Sequence, residues 1–198
     1  MNTRFRKAAV WLTRTLALAF IANLVAASSP SATDRYVTTT GDDLGGTNTC
    51  EVQACASRAR RIPASSPGDV VNVAAGTYVQ EATINVSITL QGAGIGVTIL
   101  SGPISGQGSP LHVTAAGVII DGFTVTREGN NLAQWNDPRL NSAGISVQGL
   151  TASAEIRNSR IEANRTGIDV NNSNGNFIHN NIITNNRTGL IFRNQTDN

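Results

Sequence analysis

Three observations predict an all-β solenoid, a parallel β-helix built from coils of about 22 residues. The block Asn141–Val147 (Asn-Ser-Ala-Gly-Ile-Ser-Val) returns as Asn164–Val170 and again as Asn186–Phe192, at spacings of 23 and then 22 residues. A second set, Ile120–Val125, Ile156–Ile161 and Ile178–Ile183, runs out of phase with the first, and its last two members are also 22 apart. Each set alternates apolar and polar residues over three to six positions, the period of a short strand with one buried face. No segment sustains apolar residues at helical spacing, and the stretches between are rich in Asn, Gly and Thr. Short strands that recur once per coil pair in parallel with the next coil.

Along the chain the first element is a leader. Arg4, Arg6 and Lys7 form a basic start, Leu16–Val25 is an apolar run, and Val25 and Ala27 fit a small-residue cleavage pattern. Residues 1–27 therefore read as a signal peptide, with a secreted or cell-surface destination. A stable membrane span is not expected, because Thr13, Arg14 and Thr15 interrupt the apolar stretch. Without the leader the chain keeps 11 Arg against 13 acidic residues and no Lys, so the basic balance of the whole sequence is mostly the leader's. With few aromatics and no basic cluster, nucleic acid is not an expected partner.

Residues 28–66 read as an N-terminal capping segment. It holds the only cysteines, Cys50 and Cys55, and an exported protein meets an oxidising compartment in which pairing is the expectation. A metal site would want a second pair of Cys or His ligands at short spacing, and none is present.

Residues 67–198 read as the β-helix itself. Its first coils run through Asp69–Val73, Gly76–Tyr78, Ile84, Ile88–Leu90 with a Gly-Ala-Gly turn at 92–94, Val97–Leu100 and Leu111–Val113. Ile120 and Ile156 are 36 residues apart, so an insertion spanning Arg127 to Ala143 leaves one coil through a longer loop. In the later coils Ile145, Ile168 and Leu190 are expected to pile into one inward column, and Ile120, Ile156 and Ile178 into another. Burial of each such side chain contributes about 1.5–3 kcal/mol. Asn141, Asn164 and Asn186 precede the strands, and a stacked Asn ladder at that corner is expected, with Gly144, Gly167 and Gly189 serving the same turn. Only six residues follow Phe192, too few for a further coil or a polar cap, so the sequence reads as truncated or covered by a partner.

The order from Pro67 to Gly94 (Pro-Gly-Asp, a valine strand, Ala-Gly-Thr-Tyr, an isoleucine strand, Ser-Ile-Thr-Leu-Gln-Gly-Ala-Gly) resembles the opening coils of secreted right-handed parallel β-helix proteins of the pectate-lyase-like superfamily. The preceding segment is similar to the CSLREA-type N-terminal region carried by many such proteins. Cys55, Arg58 and Ile62 fit that pattern, and Ser57 stands where Leu is usual. This resemblance implies a right-handed coil and a short capping helix in front of it, and no reaction.

Enzymes of this superfamily that act on acidic polysaccharides use acidic clusters with Arg or Lys nearby. The hydrolase branch typically shows Asn-Thr-Asp, Asp-Asp, Gly-His-Gly and Arg-Ile-Lys. The coil region carries none of these: His112 lies between Leu111 and Val113, His179 between Ile178 and Asn180, and Asp42-Asp43 precedes the coils. One column nevertheless brings together an acid, a base and an imidazole, since Asp121, Arg157 and His179 hold the same outward position on three successive coils. Its plainer reading is an exposed polar ladder worth at most about 1 kcal/mol. The insertion supplies a binding candidate, Trp135 with Asp137 and Arg139, on a loop leaving a rigid stack, with Asp169 as a neighbour. Trp135 folded back as a lid over the coil is the alternative.

The expected function is thus a non-catalytic exported scaffold that binds a polysaccharide or cell-surface glycan. A polysaccharide lyase or hydrolase and a structural stalk are the alternatives. No metal and no cofactor is expected, except calcium under the lyase reading, and the sequence gives no sign of oligomeric state.

Overall fold

The computed structural model describes residues 31–41, 62, 65–103, 108–129 and 143–194. Every regular element among them is a strand, and no helix there is long and apolar enough to cross a membrane. The strands are β1 (Asp34–Val37), β2 (Val70–Val73), β3 (Gly76–Val79), β4 (Ala82–Ile84), β5 (Thr89–Gly92), β6 (Thr98–Gly102), β7 (Leu111–Val113) and β8 (Val118–Asp121). They continue as β9 (Thr124–Arg127), β10 (Ile145–Gln148), β11 (Ala154–Arg157), β12 (Arg160–Glu162), β13 (Thr166–Asn171), β14 (Phe177–His179), β15 (Ile182–Thr184) and β16 (Thr188–Arg193).

All pairings are parallel and fall into three sheets. Sheet A has the order β1-β2-β5-β8-β11-β14, sheet B the order β3-β6-β9-β12-β15, and sheet C the order β4-β7-β10-β13-β16. From β2 onward the chain visits A, B and C in turn and then repeats, which makes a right-handed parallel β-helix.

The register puts the aliphatic columns where the repeat expects them. Leu111, Ile145, Ile168 and Leu190 are successive partners in sheet C, and Leu90, Ile120, Ile156 and Ile178 in sheet A. Sheet B adds Tyr78, Leu100, Val125, Ile161 and Ile183. Nearly all of these side chains are sealed from solvent; the exceptions lie in the last described coil, where Leu190 is 38% and Phe192 53% exposed. Those two face a side on which no described coil stacks.

Two details differ from the sequence reading. The segment expected to cap the helix contributes a strand, β1, that pairs in register with β2. Its Arg35 makes a buried ion pair with Asp69, whose carboxylate also accepts the backbone N–H groups of Thr33 (3.0 Å) and Ser66 (2.8 Å). Burial alone would raise the Asp69 carboxyl, but these three hydrogen bonds outweigh it and hold the group below the ordinary carboxylate range. The short helix expected around Cys55 to Ile62 lies outside the described residues apart from Ile62, which is fully buried.

The second difference is at the corners. Each six-residue set read as one strand is two strands, separated by a residue in the left-handed region: Gly122 (φ 79°), Asn158 (φ 49°) and Asn180 (φ 53°). Asn and Gly bear that conformation at least cost. It turns the chain from sheet A into sheet B.

The Asn ladder at the next corner exists between Asn164 and Asn186, though not because these residues are left-handed. Ala163 (φ 63°) and Asn185 (φ 51°) take that conformation instead. Asn186 Oδ1 accepts the backbone N–H of Asn164 (2.9 Å), while Asn186 Nδ2 donates to the carbonyls of Ile161 and Thr184, both 2.9 Å. Asn164 Nδ2 likewise donates to Glu162 and Val125. Each side chain thus replaces backbone partners that a sharp corner removes. Gly144 and Gly167 lie against the Asn side chains of that corner, and none of Gly144, Gly167 and Gly189 has a positive φ. Gly167 is required by space: a Cβ there would lie 2.4 Å from the carbonyl oxygen of Gly189 and 3.0 Å from Asn186 Nδ2. Asn141 lies outside the described residues.

Candidate functional site

Strands β7, β10 and β13 read apolar-polar-apolar: Leu111-His112-Val113, Ile145-Ser146-Val147 and Ile168-Asp169-Val170. The apolar members point into the core, which forces His112, Ser146 and Asp169 onto the outer face of sheet C in one register, with Thr83 before them and Ile191 after. Two residues along, Gln148, Asn171 and Arg193 form the neighbouring column. Between them lies a groove of about 430 Å³, walled by Gly108 and Ser109 at one end and by Asp169 and Arg193 at the other.

Its polar side chains carry little net charge. His112 Nδ1 lies 2.8 Å from Ser146 Oγ, and burial pushes the imidazole below its ordinary pKa, so it is neutral at pH 7. Arg193 grips Asp169 in a bidentate pair, Nε to Oδ1 at 3.0 Å and Nη2 to Oδ2 at 2.5 Å. These hydrogen bonds raise the guanidinium further above its usual range. Gln148 Oε1 accepts from Asn171 Nδ2 at 2.9 Å. Ser109 is only 3% exposed, and its hydroxyl has no hydrogen-bond partner among the described residues. On the rim the Gly108 N–H donates to Glu81 Oε1 at 2.8 Å.

The insertion leaves between β9 and β10, and the segment 103–110 leaves between β6 and β7. Both depart from the corner joining sheet B to sheet C, beside this groove. Trp135, Asp137 and Arg139 lie in the insertion outside the described residues, as do Cys50 and Cys55. Of the expected binding set, Asp169 is described and lines the groove.

Asp121, Arg157 and His179 are successive register partners on sheet A. Arg157 donates from Nε to Asp121 Oδ2 (2.7 Å) and from Nη1 to Glu155 Oε1 (2.6 Å). Asn158 Nδ2 donates to Asp121 Oδ1 (3.0 Å), and His179 Nε2 sits 3.0 Å from Glu155 Oε1 with its ring stacked on Phe177. For Asp121, burial would raise the carboxyl, but the hydrogen bonds from Asn158 and Arg157 win and lower it. Glu155 is lowered by His179 first and by Arg157 second. Both carboxylates stay ionised and accept two hydrogen bonds each, those of Glu155 both on Oε1, so the column is a polar ladder tied together by its own side chains.

Sequence reading missed His112, Ser146, Ser109, Gln148 and Glu155. The signal for the first two was available in the shared apolar-polar-apolar triplet, but the insertion stretches their separation to 34 residues and hides the period.

Residues 67–198 match the family model described as periplasmic copper-binding protein (NosD). No curated protein matches the chain. The description names a metal, which overturns the expectation that no cofactor is involved and replaces calcium with copper as the ion to consider. Copper sites draw on imidazole, thiolate and thioether donors. The described residues do not fit one: no group of three His, Cys, Asp or Glu among them is placed to hold a metal ion, and their two histidines stand on different sheets.

Proposed function

This chain belongs to the NosD family of periplasmic copper-binding proteins, and on that premise we propose that it is an exported, non-catalytic β-helix scaffold of the periplasm that holds a glycan along the outer face of sheet C. The basic, then apolar, start of the sequence supports export through a cleaved leader. The likeness of Pro67–Gly94 to secreted pectate-lyase-like proteins, and of the cysteine-bearing segment to the CSLREA-type region, supports the same placement.

The observation that carries the glycan reading is the groove itself. It runs across four coils beside the corner of sheets B and C from which both long connections leave, and loops on a rigid stack are where solenoids place recognition. On sheet A, Asp121 and Glu155 accept their hydrogen bonds from neighbouring side chains of the same ladder, and no reaction is assigned to it. Nucleic acid is not a proposed partner. The copper of the family's description is not assigned to the described residues.

Retention of the full chain on immobilised glycans, with wild type beside a Trp135→Ala/Asp137→Ala double variant, tests this. Retention by wild type, loss in the variant and no release of unsaturated or reducing ends are expected. Turnover of any polysaccharide, or full retention by the variant, would overturn the proposal.

A further inference from the structure

The groove's donors and acceptors say more about what it takes than the scaffold reading alone does. We infer that the sheet C groove recognises an uncharged, hydroxyl-rich saccharide, with Ser109, His112 and Ser146 as its specificity-determining residues; this rests on the glycan reading above.

Charge comes first. The charged side chains that line the groove, Asp169 and Arg193, neutralise each other through two hydrogen bonds. His112 is kept neutral by burial, and Glu81, which accepts the Gly108 N–H on the rim, is a carboxylate. Among the described residues that line the groove no net positive charge is left to hold a uronic-acid polymer, and Glu81 repels one. A metal cation fares no better, since no three suitable ligands converge there among the described residues.

Hydrogen-bonding capacity comes second. A neutral imidazole and a hydroxyl that share one hydrogen bond keep one donor and two acceptor sites between them, whichever tautomer holds. If Ser146 donates to Nδ1, then His112 Nε2 carries a free N–H and Ser146 Oγ keeps lone pairs. If Nδ1 donates to Ser146, then Nε2 accepts and the hydroxyl proton is free. A sugar hydroxyl, which donates and accepts at once, is the complement of that pair.

The third observation is independent of the first two. The Ser109 hydroxyl is buried on the groove wall without a hydrogen-bond partner among the described residues. An orphaned buried hydroxyl is a cost that folding leaves in place only for a reason. A ligand hydroxyl seated in the groove supplies the missing partner. Successive coils are about 4.8 Å apart, of the order of one pyranose unit, so a chain lying along the axis meets His112, Ser146 and Asp169 with successive sugars.

The test uses the full chain on an array carrying neutral oligosaccharides and uronic-acid oligosaccharides at matched density, at low and at raised salt. Wild type is compared with Ser109→Ala and Ser146→Ala, each also unfolded in urea. Wild type is expected to be retained on neutral glycans with little effect of salt, and each variant to bind about tenfold more weakly, the worth of one hydrogen bond. Ser109→Ala is expected to keep or raise the urea midpoint, because it deletes an unsatisfied group. Salt-sensitive preference for uronic acids would overturn the uncharged class and leave the glycan reading standing. Absence of retention on every glycan would overturn that reading beneath it. Neutral-glycan binding unchanged in both variants, or a lowered midpoint in Ser109→Ala, would overturn the assignment of these residues.

Discussion

Three glycines in one corner column differ only in what stands above them, so alanine at each measures how closely the coils approach. At Gly167 an added Cβ lies 2.4 Å from the Gly189 carbonyl oxygen and 3.0 Å from Asn186 Nδ2. The oxygen is backbone and cannot rotate away; relieving the clash means opening the coil spacing by about 1 Å against a strand separation of about 4.8 Å. Overpacking of this kind costs about 1–3 kcal/mol. Displacing the Asn186 amide adds its bonds to Ile161 and Thr184, about 1 kcal/mol each. Gly167→Ala should therefore destabilise by about 3–5 kcal/mol. At Gly144 the nearest contacts are 2.8 and 3.0 Å, and a smaller loss is expected. At Gly189 the nearest atom is Ile183 Cγ2 at 3.5 Å, an ordinary contact, so alanine should be neutral or stabilise by up to about 1 kcal/mol by restricting the unfolded chain. Urea unfolding followed by far-ultraviolet circular dichroism reads the series. With slopes of about 1–3 kcal/mol per molar urea, Gly167→Ala should lower the midpoint by about 1 M or more. Equal midpoints for Gly167→Ala and Gly189→Ala would refute the claim that close approach, rather than backbone conformation, selects glycine here.

Three further outcomes follow from the same geometry. Asn164→Ala strips donors from the Val125 and Glu162 carbonyls in a fully buried corner; a loss of about 2–3 kcal/mol is expected in the same urea assay. Asp69, whose carboxyl is held below its ordinary value of 3.8 in the folded chain, contributes stability that is fully present above that pH and is lost as pH falls through the folded value. The urea-midpoint gap between wild type and Asp69→Asn should accordingly narrow on acidification below 3.8, and a gap that stays constant would contradict the Arg35–Asp69 account. On sheet A, Asp121→Asn and Arg157→Gln should leave glycan retention at the wild-type level, since that ladder faces away from the groove's sheet; weakened retention on the array would show the two faces to be coupled.

The later coils were legible because their spacing is nearly constant. Ile145, Ile168 and Leu190 sit 23 and 22 residues apart, and parallel pairing turns equal spacing into stacking without further information. The column Asp121, Arg157 and His179 followed from the same register, although its meaning did not. Glu155, two residues from Arg157, takes the second guanidinium nitrogen and the imidazole, and nothing in a one-dimensional repeat marks which neighbour a long side chain will choose. Strand β1 was not legible because four alternating residues are too few to identify a strand. What fixes it is Arg35 meeting Asp69 across 34 residues, a pairing that exists only once the coil has closed. What selects glycine at that corner was hidden for a related reason: sequence offers left-handed φ as the usual need for glycine, whereas the need at Gly167 arises from the coil above it.

The two outer faces then differ in a way that bears on function. In a closed parallel stack the backbone groups are spent on pairing between coils, so recognition along the side wall falls to outward side chains. On sheet A those side chains answer one another: Arg157 lies between Asp121 and Glu155, and His179 closes the set. A ligand there meets side chains already engaged with one another in charge-assisted bonds. On sheet C the ion pair of Asp169 and Arg193 is likewise closed, but the adjoining His112–Ser146 pair keeps a donor and two acceptor sites, and among the described residues Ser109 keeps its whole hydroxyl. Unspent capacity beside a self-neutralised pair favours a ligand that brings hydroxyls without charge. Because the repeat sets the positions of these groups one coil apart, lengthening the ligand by one unit should extend the contact by one coil until it passes Asp169.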